Sequence, residues 1–229
     1  SVLGVDRVYV MRFTSALAHL SAQQFVDEVL MYLNPVAVVA GFDHLYGPVH
    51  TNSDMAHLQD YAGKRFDAIT VPKFSLDDQK IGSSRIRKLL DNGDVDEAAK
   101  QLARIHTTTG MVVHGEARGR ELGFPTANIQ TPENEWLPGI GIYAVRIEIA
   151  GQWLIGMASI GRNVTFGDNR PVTVEINILN FHNEVYGEAV KVAWYHRLRG
   201  EVKFNNAEEL IEQLIKDQTA TQQYFETLE

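Results

Sequence analysis

The strongest constraint on what this chain can fold into is a change of hydrophobic period near residue 105. After that point the period is two. Tyr143, Val145, Ile147 and Ile149 alternate with other residues across 142–149, and Val172, Val174, Ile176 and Ile178 do the same across 172–178. Successive side chains on a strand point to opposite faces, so each run paints one face of a sheet. Trp153 to Ile160 and Tyr186 to Tyr195 read as further strands, Met111 to Val113 as another, and Ala150-Gly151-Gln152 as a tight turn. Several short strands joined by tight turns imply an antiparallel barrel or sandwich. A final amphipathic helix follows, with Asn206 and Glu209 as its capping pattern and Leu210, Ile211 and Leu214 as its apolar stripe.

Before residue 105, short apolar runs alternate with helical patterns. Val8 to Phe13 reads as a strand. Ser21 to Leu33 reads as a helix opened by a Ser21–Gln24 capping box, with Phe25, Val29 and Tyr32 or Leu33 on one face, and Asn34-Pro35 ends it. Val36 to Ala40 is a continuous apolar run, the pattern of a buried parallel strand, and Phe66 to Val71 is a further strand. A helix from Ser83 or Ser84 through Leu90 stops at Asn92-Gly93, and Asp94 with Glu97 starts another that runs to about Ala103. Alternating strands and helices predict an α/β domain with a parallel sheet over 1–105, followed by the all-β domain over 106–229.

Bulk properties narrow the classes. A hydrophobic fraction of 45% supports a real core, and no run of about 18 apolar residues could span a bilayer. With no cysteine, a disulfide framework and a thiolate metal site are both excluded, which fits a cytoplasmic location. The net charge of −8 argues against a nucleic-acid partner, whose affinity rests on basic surface. The expected partners are small molecules, with no membrane and with a monomeric or weakly oligomeric chain.

Chemistry concentrates in His114-Gly115-Glu116-Ala117-Arg118-Gly119-Arg120-Glu121-Leu122-Gly123-Phe124-Pro125-Thr126-Ala127-Asn128. Gly115, Gly119 and Gly123 would let the backbone approach an anion and aim N–H groups at it, and Arg118 and Arg120 add positive charge. Thr126 and Asn128, two apart, would share a face of extended backbone and offer hard oxygen ligands suited to Mg²⁺. The loop is not a Walker A sequence, since no Gly-Lys-Ser/Thr follows. On spacing alone, an ordinary glycine-rich turn before an edge strand explains it equally well.

The run His-Gly-x-x-x-Gly-Arg-x-Leu-Gly-Phe-Pro-Thr-Ala-Asn resembles the signature of riboflavin kinases. Four more blocks are similar to that family: Leu137 to Ala144, Ser159-Ile160-Gly161, Glu175 to Phe181 with Tyr186-Gly187, and Leu198 to Phe204. The resemblance covers about 106–229. It implies a Greek-key barrel with a C-terminal helix, with riboflavin and ATP as substrates, FMN as product and Mg²⁺ as cofactor. It also implies that Glu175 receives the substrate hydroxyl proton, and that Arg199 and Phe204 approach the flavin. From alternation alone, Glu175 shares a face with Thr173 and Asn177 and could equally be a solvated glutamate. His114 reads as part of the loop's structure. Trp136, Trp153 and Trp194 could stack on a flavin but suit a core equally well.

Residues 1–105 resemble the second part of the FMN adenylyltransferase module of bacterial bifunctional riboflavin kinase/FAD synthetases, a nucleotidylyltransferase-like fold. Gly4 to Val10, Gly41-Phe42-Asp43-His44-Leu45-Tyr46-Gly47 and Ile81-Gly82-Ser83-Ser84-Arg85-Ile86-Arg87 carry the likeness, with departures at His44, Leu45 and Gly82. It implies that Asp43, Ser83, Ser84, Arg85 and Arg87 are parts of an incomplete adenylyltransferase site, the last four forming an anion site at a helix N-terminus. The family's His-x-Gly-His motif does not occur in these 229 residues. The expectation is therefore FMN formation without FAD formation. The alternatives are a bifunctional enzyme when its N-terminus is intact, and a non-catalytic flavin-binding regulator.

Overall fold

The computed structural model describes residues 4–47, 51–76, 79–115, 118–162 and 172–228. The chain divides into two compact units, Ser1–Lys80 and Ile81–Glu229.

In the first unit, α1 (Ser15–Ala18) precedes a continuous helical run made of α2 (Ala22–Gln24), a π-helical stretch Phe25–Leu30 and a 3₁₀ turn Met31–Leu33. The Ser21–Gln24 capping box forms as expected, and Asn34 ends the run in a left-handed conformation with φ 48°. The wider π turns rotate the buried face. Ala22 and Val26 are buried with Phe25, Leu30 and Met31 packed against them, so Phe25 holds its expected place, whereas Tyr32 and Leu33, the alternatives expected on the same face, are both exposed. Strand β1 (Ala37–Gly41) pairs in parallel with β2 (Asp67–Val71), from Ala37 opposite Asp67 to Gly41 opposite Val71, and α3 (Leu58–Ala62) lies between them in sequence. A small antiparallel pair, β3 (Ser75–Leu76) and β4 (Gln79–Lys80), ends the unit.

Two expectations fail here. The parallel strands are not deeply buried: Val39, Ile69 and Val71 are all exposed, because the sheet has only two strands among the described residues. Val8 to Phe13 is not a strand, and Val8, Val10 and Phe13 stand in solvent. Strand propensity is realised through cross-strand packing, and this run has no ladder partner among the described residues.

The second unit opens with α4 (Ser83–Asn92) and α5 (Val95–Leu102), separated by Gly93 at φ 82°. Strands β5 (His106–Val113), β6 (Ala127–Gln130), β7 (Gly141–Ile149), β8 (Gln152–Arg162), β9 (Val172–Ile178) and β10 (Ala189–Arg199) follow, with α6 (Arg118–Glu121) between β5 and β6. They close into a barrel in the order β10-β5-β6-β9-β8-β7, every neighbour antiparallel. The run β6-β9-β8-β7 sets the first of four successive strands beside the fourth, which is a Greek key. The barrel interior is solid. Val145, Ile147, Ile160, Ile176, Val192 and Trp194 fill it, all essentially without solvent contact. Trp194 donates its indole N–H to Thr108 Oγ1 at 3.0 Å and meets Tyr143 edge-on.

Helices α4 and α5 belong to this unit by packing, since Leu90, Val95 and Ala98 complete the barrel's core. The change in sequence period at 105 therefore falls inside the second unit and not at the division between the two. Helix α7 (Ala207–Glu226), capped by Asn206 Oδ1 accepting from the Glu209 N–H at 2.8 Å, seats Phe225 against Tyr195 on the barrel wall.

Candidate active site

The site is built where β6 meets β9. Their register sets Asn128 opposite Glu175, and the β8–β9 register sets Ser159 opposite Glu175 on its other side. Directly paired residues of an antiparallel ladder project from the same face. Asn128, Glu175 and Ser159 thus form a row across three strands. Thr126, just before β6, donates its hydroxyl to Glu175 Oε2 at 3.3 Å. Buried Asn177, two residues on from Glu175, donates its amide to the Pro125 carbonyl at 2.8 Å and ties the Pro125-Thr126 segment to β9. Glu175 is only partly exposed, and its neighbours Val174 and Ile176 point into the core. It is not a freely solvated strand glutamate.

The glycine loop approaches this row from β5. A side chain at Gly115 would collide with the Asn128 amide, so glycine there lets the loop lie directly on the β6 side chain. Gly123 takes φ 82°, a conformation that L side chains rarely adopt. At Gly119, a Cβ would strike the Phe124 carbonyl. These glycines therefore satisfy the loop's own packing, a constraint that spacing alone did not distinguish from anion approach. Glu116 and Ala117 lie outside the described residues, as does the Arg118 side chain. Arg120 points to Glu184, 3.7 Å away. His114 stacks on Tyr186 with ring centroids 3.8 Å apart, while the Gly187 N–H donates to the Val112 carbonyl at 2.8 Å. His114 is thus part of the loop's anchorage.

Two clefts meet at Thr126. One, of about 290 Å³, is walled by Thr126, Ser159, Glu175 and Asn177 on one side and by Arg199, Phe204, Leu210, Leu214 and Asp217 on the other. The second, of about 420 Å³, lies between Arg120, Pro125 and Thr126 and the segment Phe181 to Tyr186. A wider depression of about 700 Å³ near Gly110, Glu148 and Lys191 contains none of the motif residues.

Three comparisons bear on this geometry. The family model described as riboflavin kinase matches residues 102–225, and that described as FAD synthetase matches 1–85. A bifunctional riboflavin kinase/FMN adenylyltransferase of Listeria monocytogenes is 45% identical over 99% of this chain and 72% of its own length. One from Bacillus subtilis is 40% identical over 99% of this chain and 72% of its own length. The chain belongs to the bifunctional riboflavin kinase/FMN adenylyltransferase family. A crystal structure of a macrolide-efflux protein from Streptococcus pneumoniae shares the fold, with a TM-score of 0.88 and 38% identity over 96% of this chain and 70% of that one.

For the kinase part, the structure thus brings Gly119, Thr126, Glu175, Arg199 and Phe204 to one cleft, with Asn128 beside Glu175 on the ladder. The tryptophans stay out of it. Trp194 is core, while Trp136 donates to Asp91 at 2.9 Å and lies under the Arg87 guanidinium, 5.4 Å from its centroid. For the adenylyltransferase part, Asp43 lies in the first unit, and hydrogen bonding to the Lys80 ammonium holds its carboxyl below the usual carboxylate range. Ser83, Ser84, Arg85 and Arg87 form the first turns of α4 in the second unit, behind a Gly82 cap that has no side-chain bond to offer. Asp217 escaped the sequence reading. Its signal was an acidic residue three positions after Leu214, on the apolar stripe of the last helix.

Proposed function

We propose that the second unit transfers the terminal phosphoryl group of ATP to the 5′-hydroxyl of riboflavin, giving FMN. The observation that carries this reading is the position of Thr126, which borders both clefts and hydrogen-bonds Glu175 in the first of them. The cleft that holds the carboxylate must take the hydroxyl-bearing substrate. Its apolar wall of Phe204, Leu210 and Leu214 suits an isoalloxazine ring. The second cleft, on the other side of Thr126, receives ATP, with Arg120 in its wall toward the phosphates.

Thr126 and Asn128 supply hard oxygens beside a carboxylate, a donor set that fits Mg²⁺ with phosphates and waters as the remaining ligands. When bound, Mg²⁺ neutralises charge on the transferred group. Glu175 orients the flavin hydroxyl and accepts its proton as the new P–O bond forms. The Thr126 hydroxyl holds that carboxylate in place until the nucleophile arrives. Catalysis then rests mostly on alignment of two substrates across Thr126.

The efflux role in the name of the Streptococcus protein is said of that protein and is not carried over to this chain. The adenylyltransferase reading has its own support in the match to residues 1–85 and in the relatives' bifunctional names. The 229 residues contain no His-x-Gly-His, so a polypeptide of this sequence should make FMN and stop there. Incubation with riboflavin, ATP and Mg²⁺, followed by chromatography of the flavins, tests both statements. An absence of FMN would sink the kinase reading, and ATP-dependent FAD would overturn the second statement.

A further inference from the structure

Among the described residues, Asp217 is the only charged side chain buried below a tenth of its surface, at 3%. It lies in the row Leu210, Leu214, Asp217, Thr221 and Phe225, the inward stripe of α7. A carboxylate is costly there unless it is paired and hydrogen-bonded. Asp217 is both. Arg199 donates from Nε to Oδ1 at 2.9 Å and to Oδ2 at 3.1 Å, and from Nη2 to Oδ2 at 2.7 Å. Gln213 adds a bond to Oδ1 at 2.8 Å. The Thr221 hydroxyl donates to the Asp217 carbonyl at 2.8 Å, which fastens the same turn.

The pair does not read as a stability device. Apolar residues of similar volume generally serve at least as well in such a position. Its location is more telling, because Arg199 and Asp217 both wall the cleft that holds Glu175. Arg199 spends a further N–H on the Gly200 carbonyl at 3.0 Å and lies 5.9 Å from the centroid of the Phe204 ring. A guanidinium has five N–H donors in a rigid plane. With Nε and one N–H of each terminal nitrogen engaged, its orientation is fixed and one N–H remains on each terminal nitrogen. The same cleft contains two carboxylates, Glu175 and Glu201, that an unanchored guanidinium would pair with.

Resting on the riboflavin kinase reading of this cleft, we propose that Asp217 is a positioning residue. It anchors Arg199, and with it the Phe204 wall, in the one orientation that receives the flavin, and it keeps that charge from collapsing onto Glu175. Asp217 itself touches no substrate in this scheme.

The test uses the full chain and its Asp217→Asn variant, which keeps the volume and removes the charge. Riboflavin affinity is read by quenching of its fluorescence, ADP affinity by calorimetry, and folding by circular dichroism. The expected result is a folded variant whose riboflavin Kd rises by roughly tenfold or more, the scale of one lost charge-assisted contact, with the ADP Kd unchanged. Arg199→Ala should weaken riboflavin binding similarly, and the double variant should be no weaker than the weaker single variant, since the two residues act as a unit. A folded Asp217→Asn protein that binds riboflavin as the parent does overturns the proposal, as do equal losses for riboflavin and ADP or fully additive losses in the double variant. Should Asp217→Asn fail to fold, Gln213→Ala is read instead. It loosens Asp217 without unpairing Arg199, and a smaller, riboflavin-only loss is expected; no loss overturns the proposal. A parent chain that binds no riboflavin would sink the kinase reading and this one with it. Parent binding with an unaffected variant sinks this one alone.

Discussion

Strand β7 and the β1–β2 pair draw on the same kinds of residue and meet opposite fates. In β7, Tyr143, Val145 and Ile147 have no solvent contact, whereas Val39, Ile69 and Val71 of the parallel pair are about half exposed. Apolar content does not separate them. Strand β7 has a hydrogen-bonded neighbour on each side, β8 and β10, and lies on a closed surface with an inside. Among the described residues, strands β1 and β2 have one another only. A strand's burial belongs to its sheet, and closure gives every strand two partners and one common interior. The same closure gives the second unit a site precise to the residue, because ladder register alone sets Asn128, Glu175 and Ser159 in a row.

The sharpest way to break this contrast is to remove the charge at the centre of that row. Glu175→Gln keeps the shape and the Thr126 contact but deletes the basic oxygen. Turnover should fall roughly 10²–10⁴-fold, the usual contribution of a positioned general base, with riboflavin and ATP affinity little changed. Steady-state kinetics beside a circular dichroism spectrum decide it. Near-parental turnover in a folded variant would return Glu175 to a structural role and leave the row without a catalytic purpose.

A second experiment sets the two cores against each other. Ile147→Ala empties a site with no solvent contact in the barrel and should cost about 2–5 kcal/mol. Val26→Ala opens the smaller core of the first unit. The expectation is that Ile147→Ala lowers the melting temperature of the FMN-forming unit, while Val26→Ala speeds proteolysis of residues 4–80 and leaves FMN formation intact. Equal loss of FMN formation in both variants would mean that the two units do not behave as separate cores.

How far the sequence could be read follows the same division. Five of the six barrel strands were legible, most clearly where period two repeats, as in β7 and β9; β6 is only four residues long and entered the sequence reading just as an edge strand after a glycine-rich turn, and only the last three residues of β5 were read. Glu175, Thr126, Asn128, Arg199 and Phe204 were legible as family motif positions, and the structure supplies the geometry that joins them. The β10 start was not legible. Tyr186 to Glu188 precede the strand, because Gly187 turns the chain at φ 80° and the regular β10–β5 register begins only at Ala189. The Val8 to Phe13 strand was over-read, since a local pattern cannot supply a ladder partner. The later part of the buried face of the 22–33 helix was misplaced because π turns break the 3.6-residue period on which the inference rests. Asp217 was invisible for a different reason: a lone acid on an apolar stripe is meaningful only once Arg199 arrives from β10.

A smaller effect is expected at the hinge between the clefts. Thr126→Ala removes the hydroxyl that steadies Glu175, and Asn128→Ala removes the second oxygen and the packing surface for Gly115. Each should lower kcat/KM for Mg–ATP by roughly tenfold, about the strength of one hydrogen bond to a charged group. Titration of Mg²⁺ at fixed ATP separates the possibilities. An unchanged Mg²⁺ dependence in both variants would place the metal elsewhere.

The smallest effect concerns how the barrel depends on pH. His106, the first residue of β5, makes a 2.7 Å hydrogen bond from Nε2 to the Trp136 carbonyl, which fits a neutral ring that donates there. Burial lowers its pKa below the ordinary 6.5, and the nearby Arg104 works in the same direction, while the carbonyl contact and Glu135 oppose them only in part. The sign follows from linkage. Below the unfolded value the unfolded chain takes up a proton that the folded barrel resists. The stability contribution is therefore complete above pH 6.5 and drains away as pH falls from there through the lower folded value. Carboxylates titrate mostly below that window, so the upper part of it reports on histidine. The urea midpoint of the parent should fall between about pH 7.5 and about pH 5.5, whereas His106→Gln, which keeps a donor for the carbonyl but cannot titrate, should show a flatter profile over the same range. Parallel profiles for the two proteins would mean that His106 takes up its proton as readily in the folded barrel as in the unfolded chain, and that closure does not extend its protection to the rim of β5.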